Sequence, residues 1–133
     1  MWWQQKTKSK RRVRRRRRSS VTPHYLQHKE AARGYVVDRL THYNEHYQYE
    51  WNRVAIRNQR RCWGSCTSLK NLNFSYRILF LPAEIADYII VHELCHLEAL
   101  HHGQSFWDLV AETIPDYPER IQLLRKLEHE LSH

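Results

Sequence analysis

The sequence contains no apolar run approaching the roughly 18 residues that a membrane-spanning helix needs. Its longest such stretch, residues 85–91, is interrupted by Asp87, so we expect neither an integral membrane protein nor a membrane partner. Cysteine is also scarce. The three cysteines are an odd number, and no apolar export segment follows Met1. These two absences argue against a disulfide framework and favour a reducing cytoplasm as the location.

Acidic residues are absent from the first 20 positions, which carry ten Lys and Arg residues. The other 113 residues hold 12 basic and 14 acidic side chains, so the net charge of +8 comes from the N-terminal segment. We predict a disordered basic tail over residues 1–21 and one folded domain over residues 22–133. The tail has the charge of a non-specific nucleic-acid arm, and the alternative is a solvated leader. Its arginines are Arg11, Arg12, Arg14, Arg15, Arg16, Arg17 and Arg18.

The apolar pattern of the domain predicts an α+β fold. Thr22 and Pro23 suit the start of a helix whose apolar residues recur at helical spacing to about Tyr47. Three short strands are predicted over residues 51–57, 63–68 and 72–76, and the turns between them suggest an antiparallel β-meander. Pro82 then opens a second helix, and two C-terminal helices follow over residues 104–113 and 119–131.

The second predicted helix carries the sequence His92-Glu93-Leu94-Cys95-His96, an H-E-x-x-H motif. Two histidines one helical turn apart point in the same direction and can bind one metal ion, most suitably zinc. The glutamate beside the first ligand can act as general base and then as general acid toward a water activated by the metal. The motif therefore predicts a metallohydrolase with one Zn²⁺ per chain.

Three residues are candidates for the third metal ligand. His102 lies ten residues after His92, and the adjacent Gly103 would let the chain turn back toward the metal. His101 is chemically equivalent but would face away if the helix continued. Glu112 on the next helix is the remaining alternative. The spacing favours His102 and leaves the other two open.

Further residues match a known family in an unbroken order. The matching segments are residues 61–68, 72–74, 76–79, 87–88, 91–94, 96–97, 106–107 and 115–117, together with Pro82 and His102. Over about residues 30–128 the chain resembles the YgjP-like metallopeptidase-domain family and, more distantly, the SprT, Spartan and WLM proteases. The resemblance implies a small zincin-like domain in which His92, His96 and His102 bind zinc and Glu93 is the catalytic acid and base. It also implies a peptide or protein substrate.

The chain departs from the family pattern in two places. His101-His102-Gly103 stands where the family usually has Asn-His-Ser, which keeps His101 among the candidate ligands or substrate contacts. The strand-rich N-terminal region common in the family is replaced by the basic tail. We also consider Arg77 as a donor to the developing oxyanion, with a solvated or ion-paired arginine as the alternative.

Three functions are consistent with these observations. The leading one is a zinc metallopeptidase, in which the segment Trp63–Ser65 could also bind an extended peptide as an edge strand. The second is hydrolysis of a nucleoside triphosphate at the same metal site. The third is a nucleic-acid-binding protein whose zinc is structural, which would favour a closed shell of four ligands that includes His101. The sequence does not define an oligomeric state.

Overall fold

The computed structural model describes residues 21–131 and confirms the α+β class. A long helix, α1, comes first and is followed by a three-stranded sheet, a 3₁₀ helix at Tyr76–Phe80 and three further helices. Residues 1–20 of the predicted tail, including the stretch from Arg11 to Arg18, lie outside the described residues. The elements are α1 (Pro23–Tyr47), β1 (Arg53–Arg57), β2 (Gly64–Cys66), β3 (Asn71–Ser75), α2 (Ala83–Cys95), α3 (Gln104–Ala111) and α4 (Tyr117–Leu131).

Helix α1 begins where the sequence predicts, because Thr22 caps it. The Thr22 hydroxyl accepts a hydrogen bond from the Tyr25 backbone N–H at 3.2 Å, and Pro23 occupies the first turn. Ala32, Val36 and Leu40 recur every four residues and are fully buried. Gln48 ends the helix in the left-handed conformation, with a φ of 61°. The helix thus presents one apolar stripe to the rest of the domain.

The strands do not form the predicted antiparallel meander. Their order in the sheet is β1-β3-β2, with β1 parallel to β3 and β2 antiparallel to β3. The prediction was right for the antiparallel pairing of β2 with β3 and wrong for β1, which pairs with β3 in parallel and not with β2. The connection after β1 passes over the end of β3, where Ser75 bonds the carbonyls of Gln59 and Trp63. Strand β2 therefore lies on the side of β3 opposite to β1.

The two edges of the sheet differ. The outer carbonyls of β1 accept hydrogen bonds from α1 side chains, Val54 from Arg33 at 3.2 Å and Ile56 from Tyr25 at 2.8 Å. Among residues 21–131, no strand pairs with the outer side of β2.

Helix α2 occupies the centre of the domain. Every residue from Tyr88 to Cys95 is buried, so the apolar stripe predicted for this helix extends around its whole circumference. Asp87, at the margin, accepts two hydrogen bonds from the Arg39 guanidinium at 3.0 Å and one from the Tyr43 hydroxyl at 2.9 Å. These contacts attach α2 to α1. Across residues 21–131, no helix combines the length and apolar character that a bilayer crossing requires.

Candidate metal centre

Three histidines converge at the C-terminal end of α2. His92 and His96 lie one turn apart, with 3.2 Å between their Nε2 atoms. The helix ends at Cys95, and the chain turns back so that the Nε2 atom of His102 lies 3.2 Å from that of His96 and 3.4 Å from that of His92. His92 and His96 are buried and His102 is half-buried. Among the described residues, this trio is the cluster that could hold a metal ion.

The other ring nitrogen of two of these histidines has a defined neighbour. His96 Nδ1 lies 2.8 Å from the Ala99 carbonyl, which can only accept, so Nδ1 carries the proton and donates it. The neutral His96 ring therefore directs the Nε2 lone pair into the cluster. His92 Nδ1 lies 3.0 Å from the Tyr88 hydroxyl, one turn earlier on α2. Such partners orient metal-binding imidazoles and fix their tautomers.

Burial keeps the three imidazoles neutral. Desolvation lowers the pKa of His92 well below its ordinary value, and the neighbouring histidines lower it further. Burial also lowers the pKa of His96 to about 4 and shifts the pKa of His102 downward. Since a metal binds the neutral imidazole, the ring nitrogens of all three residues are available as ligands near pH 7.

Glu93 follows His92 on α2 and packs against the sheet. It is 2% exposed, and burial raises the pKa of its carboxyl group to about 8. The side chain packs on Gly64 in β2, where an added Cβ atom would lie 3.0 Å from Glu93 Cγ. Gly64 thus makes room for the carboxylate-bearing side chain. The sequence shows a glycine at position 64, but it does not indicate that Glu93 packs against this residue.

Helix α3 closes the other side of the cluster with aromatic rings. Phe106 stacks on His96, with ring centroids 4.3 Å apart and planes inclined by 13°. The Trp107 indole N–H donates to the His102 carbonyl at 3.1 Å, which fixes the backbone of that residue. Both residues thus contact the histidine cluster from α3.

The spacing of the trio fits a zinc ion. Nitrogen ligands about 2.0–2.1 Å from a tetrahedral zinc lie about 3.3 Å from one another. The three Nε2–Nε2 distances, 3.2, 3.2 and 3.4 Å, agree with that value. Three protein ligands leave one tetrahedral position available.

Other candidate residues lie elsewhere. His101 accepts a hydrogen bond from the Gly103 N–H through Nδ1 at 2.9 Å, and its Nε2 lies 3.3 Å from the Ser105 hydroxyl. Glu112 pairs with His46 at 2.9 Å. Arg77 donates to the Gln59 carbonyl at 3.2 Å and lies over the Tyr76 ring. None of these three side chains belongs to the histidine cluster.

None of the three cysteines forms a disulfide bond. Cys95 is buried in the core, whereas Cys62 and Cys66 are half-buried. Burial raises the pKa of the Cys66 thiol to about 12, with Glu93 as the next largest cause. Cys66 therefore remains a neutral thiol near the site.

The sequence pattern of the YgjP-like metallopeptidase domain matches residues 3–127. The chain belongs to this family. The match begins within the basic segment, so it extends further toward the N-terminus than the resemblance over residues 30–128. The family confirms the recognition made from the sequence and supports a peptidase-like hydrolase with a divalent metal.

The fold is also similar to a solved structure, the zymogen of the metallopeptidase abylysin from Pyrococcus abyssi. The two share 28% sequence identity and a TM-score of 0.62, and the similarity covers 70% of this chain and 95% of abylysin. No functionally curated protein matches the chain. The structural match agrees with the family in identifying a zincin-type metallopeptidase fold.

Proposed function

We propose that this member of the YgjP-like family is a zinc-dependent peptidase in which His92, His96 and His102 bind one zinc ion. The observation that carries the proposal is the convergence of three Nε2 atoms at the spacing of a tetrahedral zinc site. The chemistry supplied by a bound zinc is that of a Lewis acid, which polarises a carbonyl group and makes water more acidic.

Glu93 is the general base and acid in this proposal. It directly follows His92 on α2 and is 2% exposed, so the side chain is shielded from bulk solvent. The side chain takes the proton from the attacking water and returns it to the nitrogen of the leaving amine. Since burial raises its pKa to about 8, the protonated form of Glu93 is accessible near neutral pH.

The family supports a peptide or protein as the substrate. Gly64 on β2 packs directly on Glu93, so this strand lies beside the proposed general base. Pairing of an extended peptide with the segment Trp63–Ser65 stays a prediction from the sequence.

The metal ligands can be tested by elemental analysis of the purified full chain. We expect one zinc per chain in the wild type, loss of zinc in His102→Ala, and retention in His101→Ala, which serves as the matched control. Loss of zinc in both variants, or in neither, would contradict the assignment of His102 as third ligand.

The catalytic role can be tested on unfolded protein substrates. We expect Glu93→Gln to retain zinc and to lower the turnover rate by about 10²–10⁴-fold, because the general base is lost. Glu98→Gln, an exposed carboxylate five residues away, is the control. If nucleoside triphosphates were hydrolysed in a Glu93-dependent manner while no peptide was cleaved, the peptidase proposal would fail.

A further inference from the structure

The residues after position 20 have a net charge close to zero, but their basic and acidic side chains lie in different segments of the chain. Residues 51–83, which form the sheet, its connections and the 3₁₀ helix, contain six basic residues and no acid. The rest of the described chain, residues 21–50 and 84–131, contains six basic residues and 14 acids. The sheet segment is therefore +6, whereas the remaining part is −8.

The outward face of the sheet is polar and carries part of this charge. Arg53 and Arg57 alternate with the core residues Val54 and Ile56, so both arginines point away from the core and are exposed. Arg57 donates to the Asn73 side chain of β3 at 3.0 Å. Asn73 in turn donates to the Ser65 hydroxyl of β2 at 3.2 Å. Amide and hydroxyl side chains thus extend this polar face across all three strands.

The connections at the two ends of the sheet add further cations. Arg60 and Arg61 lie in the loop that crosses the end of β3, and Lys70 lies in the β2–β3 turn at the other end. All three are exposed. Within residues 21–131, no carboxylate forms an ion pair with any of these five cations. Their charge is therefore directed to solvent.

We propose that this face, defined by Arg53, Arg57, Arg60, Arg61 and Lys70, binds the phosphate backbone of nucleic acid. Arg53 and Arg57 are about 13 Å apart along β1. This distance is close to the axial rise of about four successive phosphates on one strand of duplex DNA. The amides of Asn71 and Asn73 between the charged ends can donate to phosphate and sugar oxygens. The outward positions of the strands contain no aromatic residue for base stacking, so the binding is independent of base sequence.

A nucleic acid fits this face better than an anionic membrane does. Membrane-surface binding combines cations with apolar side chains that enter the acyl boundary. The outward positions of the strands carry Arg, Asn, Ser and Ala, whereas Val54, Ile56, Leu72 and Phe74 point to the core. The face also lies on the opposite side of the sheet from Glu93, because Gly64 approaches Glu93 from the inner side.

The test is salt-dependent binding of the full chain to a labelled 20-base-pair DNA duplex and to a single strand of equal length. The variant Arg53→Gln/Arg57→Gln is compared with Arg125→Gln/Lys126→Gln, which removes the same charge from α4. Because the N-terminal segment carries ten cations of its own, both pairs are also measured with Arg14 to Arg18 changed to Gln. Circular dichroism and zinc content establish that the variants are folded.

We expect the sheet variant to reduce the slope of log K against log salt by about 1.5–2 on at least one probe, whereas the α4 variant leaves the slope unchanged. Equal slopes for the two variants in both backgrounds would overturn the proposal. Binding to vesicles of phosphatidylserine and phosphatidylcholine that depends on Arg53 and Arg57, without such dependence on DNA, would also overturn it. Neither result bears on zinc binding or on Glu93, so the two proposals fail separately.

Discussion

Gly64→Ala is the substitution that best tests the packing of the general base. A Cβ atom at this position would lie 3.0 Å from Glu93 Cγ, 3.1 Å from the Asn73 carbonyl oxygen and 3.2 Å from Phe74 Cδ1. Ordinary contacts between carbon atoms are about 3.5–4.0 Å. The Asn73 oxygen is part of the β2–β3 ladder and cannot retreat without loss of pairing, so we expect the Glu93 side chain to move by about 0.5 Å.

The displacement has separate consequences for activity and for stability. A misplacement of about 1 Å costs about 10²-fold in rate, so a shift of half that size should reduce turnover by about tenfold. Crowding of a packed site costs about 1–3 kcal/mol of unfolding free energy. Zinc content should stay at the wild-type level, because the atoms nearest to the added Cβ belong to Glu93, Asn73 and Phe74 and not to the histidines.

The assay combines peptidase kinetics, zinc analysis and urea unfolding of the full chain. Gly34→Ala is the matched control, since an added Cβ atom there meets no heavy atom within 4 Å. It should leave turnover unchanged and stabilise α1 by about 0.5–1 kcal/mol. Wild-type turnover in Gly64→Ala, with unchanged stability, would refute the proposed packing of Glu93 on β2.

Three further substitutions or reactions have expected outcomes. Tyr88→Phe removes the hydroxyl beside His92 Nδ1, and we expect zinc affinity to fall by about 10–100-fold in a chelator competition. Asp87→Asn weakens the contacts with Arg39, and urea unfolding should show a loss of about 2 kcal/mol. Burial raises the pKa of Cys66 to about 12, so iodoacetamide at pH 8 should alkylate it about 1,000-fold more slowly than a thiol of pKa 9, with the rate rising tenfold per pH unit.

Each of these outcomes has a comparison that could contradict it. Tyr35→Phe removes a phenol hydroxyl from α1, and an equal loss of zinc affinity there would exclude a specific role for Tyr88. Glu30→Gln breaks an exposed pair with Arg33, expected to contribute less than about 0.5 kcal/mol. An equal loss of stability in that variant would contradict the importance of the α1–α2 contact. Alkylation of Cys66 at the same rate in the native and the urea-unfolded chain would refute its burial.

The sequence predicted the elements of the fold better than their arrangement. Thr22 and Pro23 defined the start of α1, and the α+β class is confirmed, because capping chemistry and periodicity are local properties. Strand pairing is not local. The parallel pairing of β1 with β3 depends on where the connection passes, and the contact of Ser75 with Gln59 that accompanies this path leaves no trace in the hydropathy pattern.

The same distinction applies to the candidate site. The spacing of His92 and His96 follows from the geometry of one helix, so the sequence was sufficient to place both side chains on one face. The approach of His102 depends on the end of α2 at Cys95, and spacing alone left alternatives open. The contacts of Tyr88 and of Gly64 with the site were not predicted, because burial on all sides of α2 hides which neighbour each position faces.

The two edges of the sheet serve different parts of the domain. Tyr25 and Arg33 come from the first helix and donate hydrogen bonds to carbonyls of β1, which attaches α1 to that edge. Strand β2, at the other side of β3, places Gly64 against Glu93. Because β3 pairs with both strands, the packing of Glu93 depends on the register of the whole sheet and not on α2 alone.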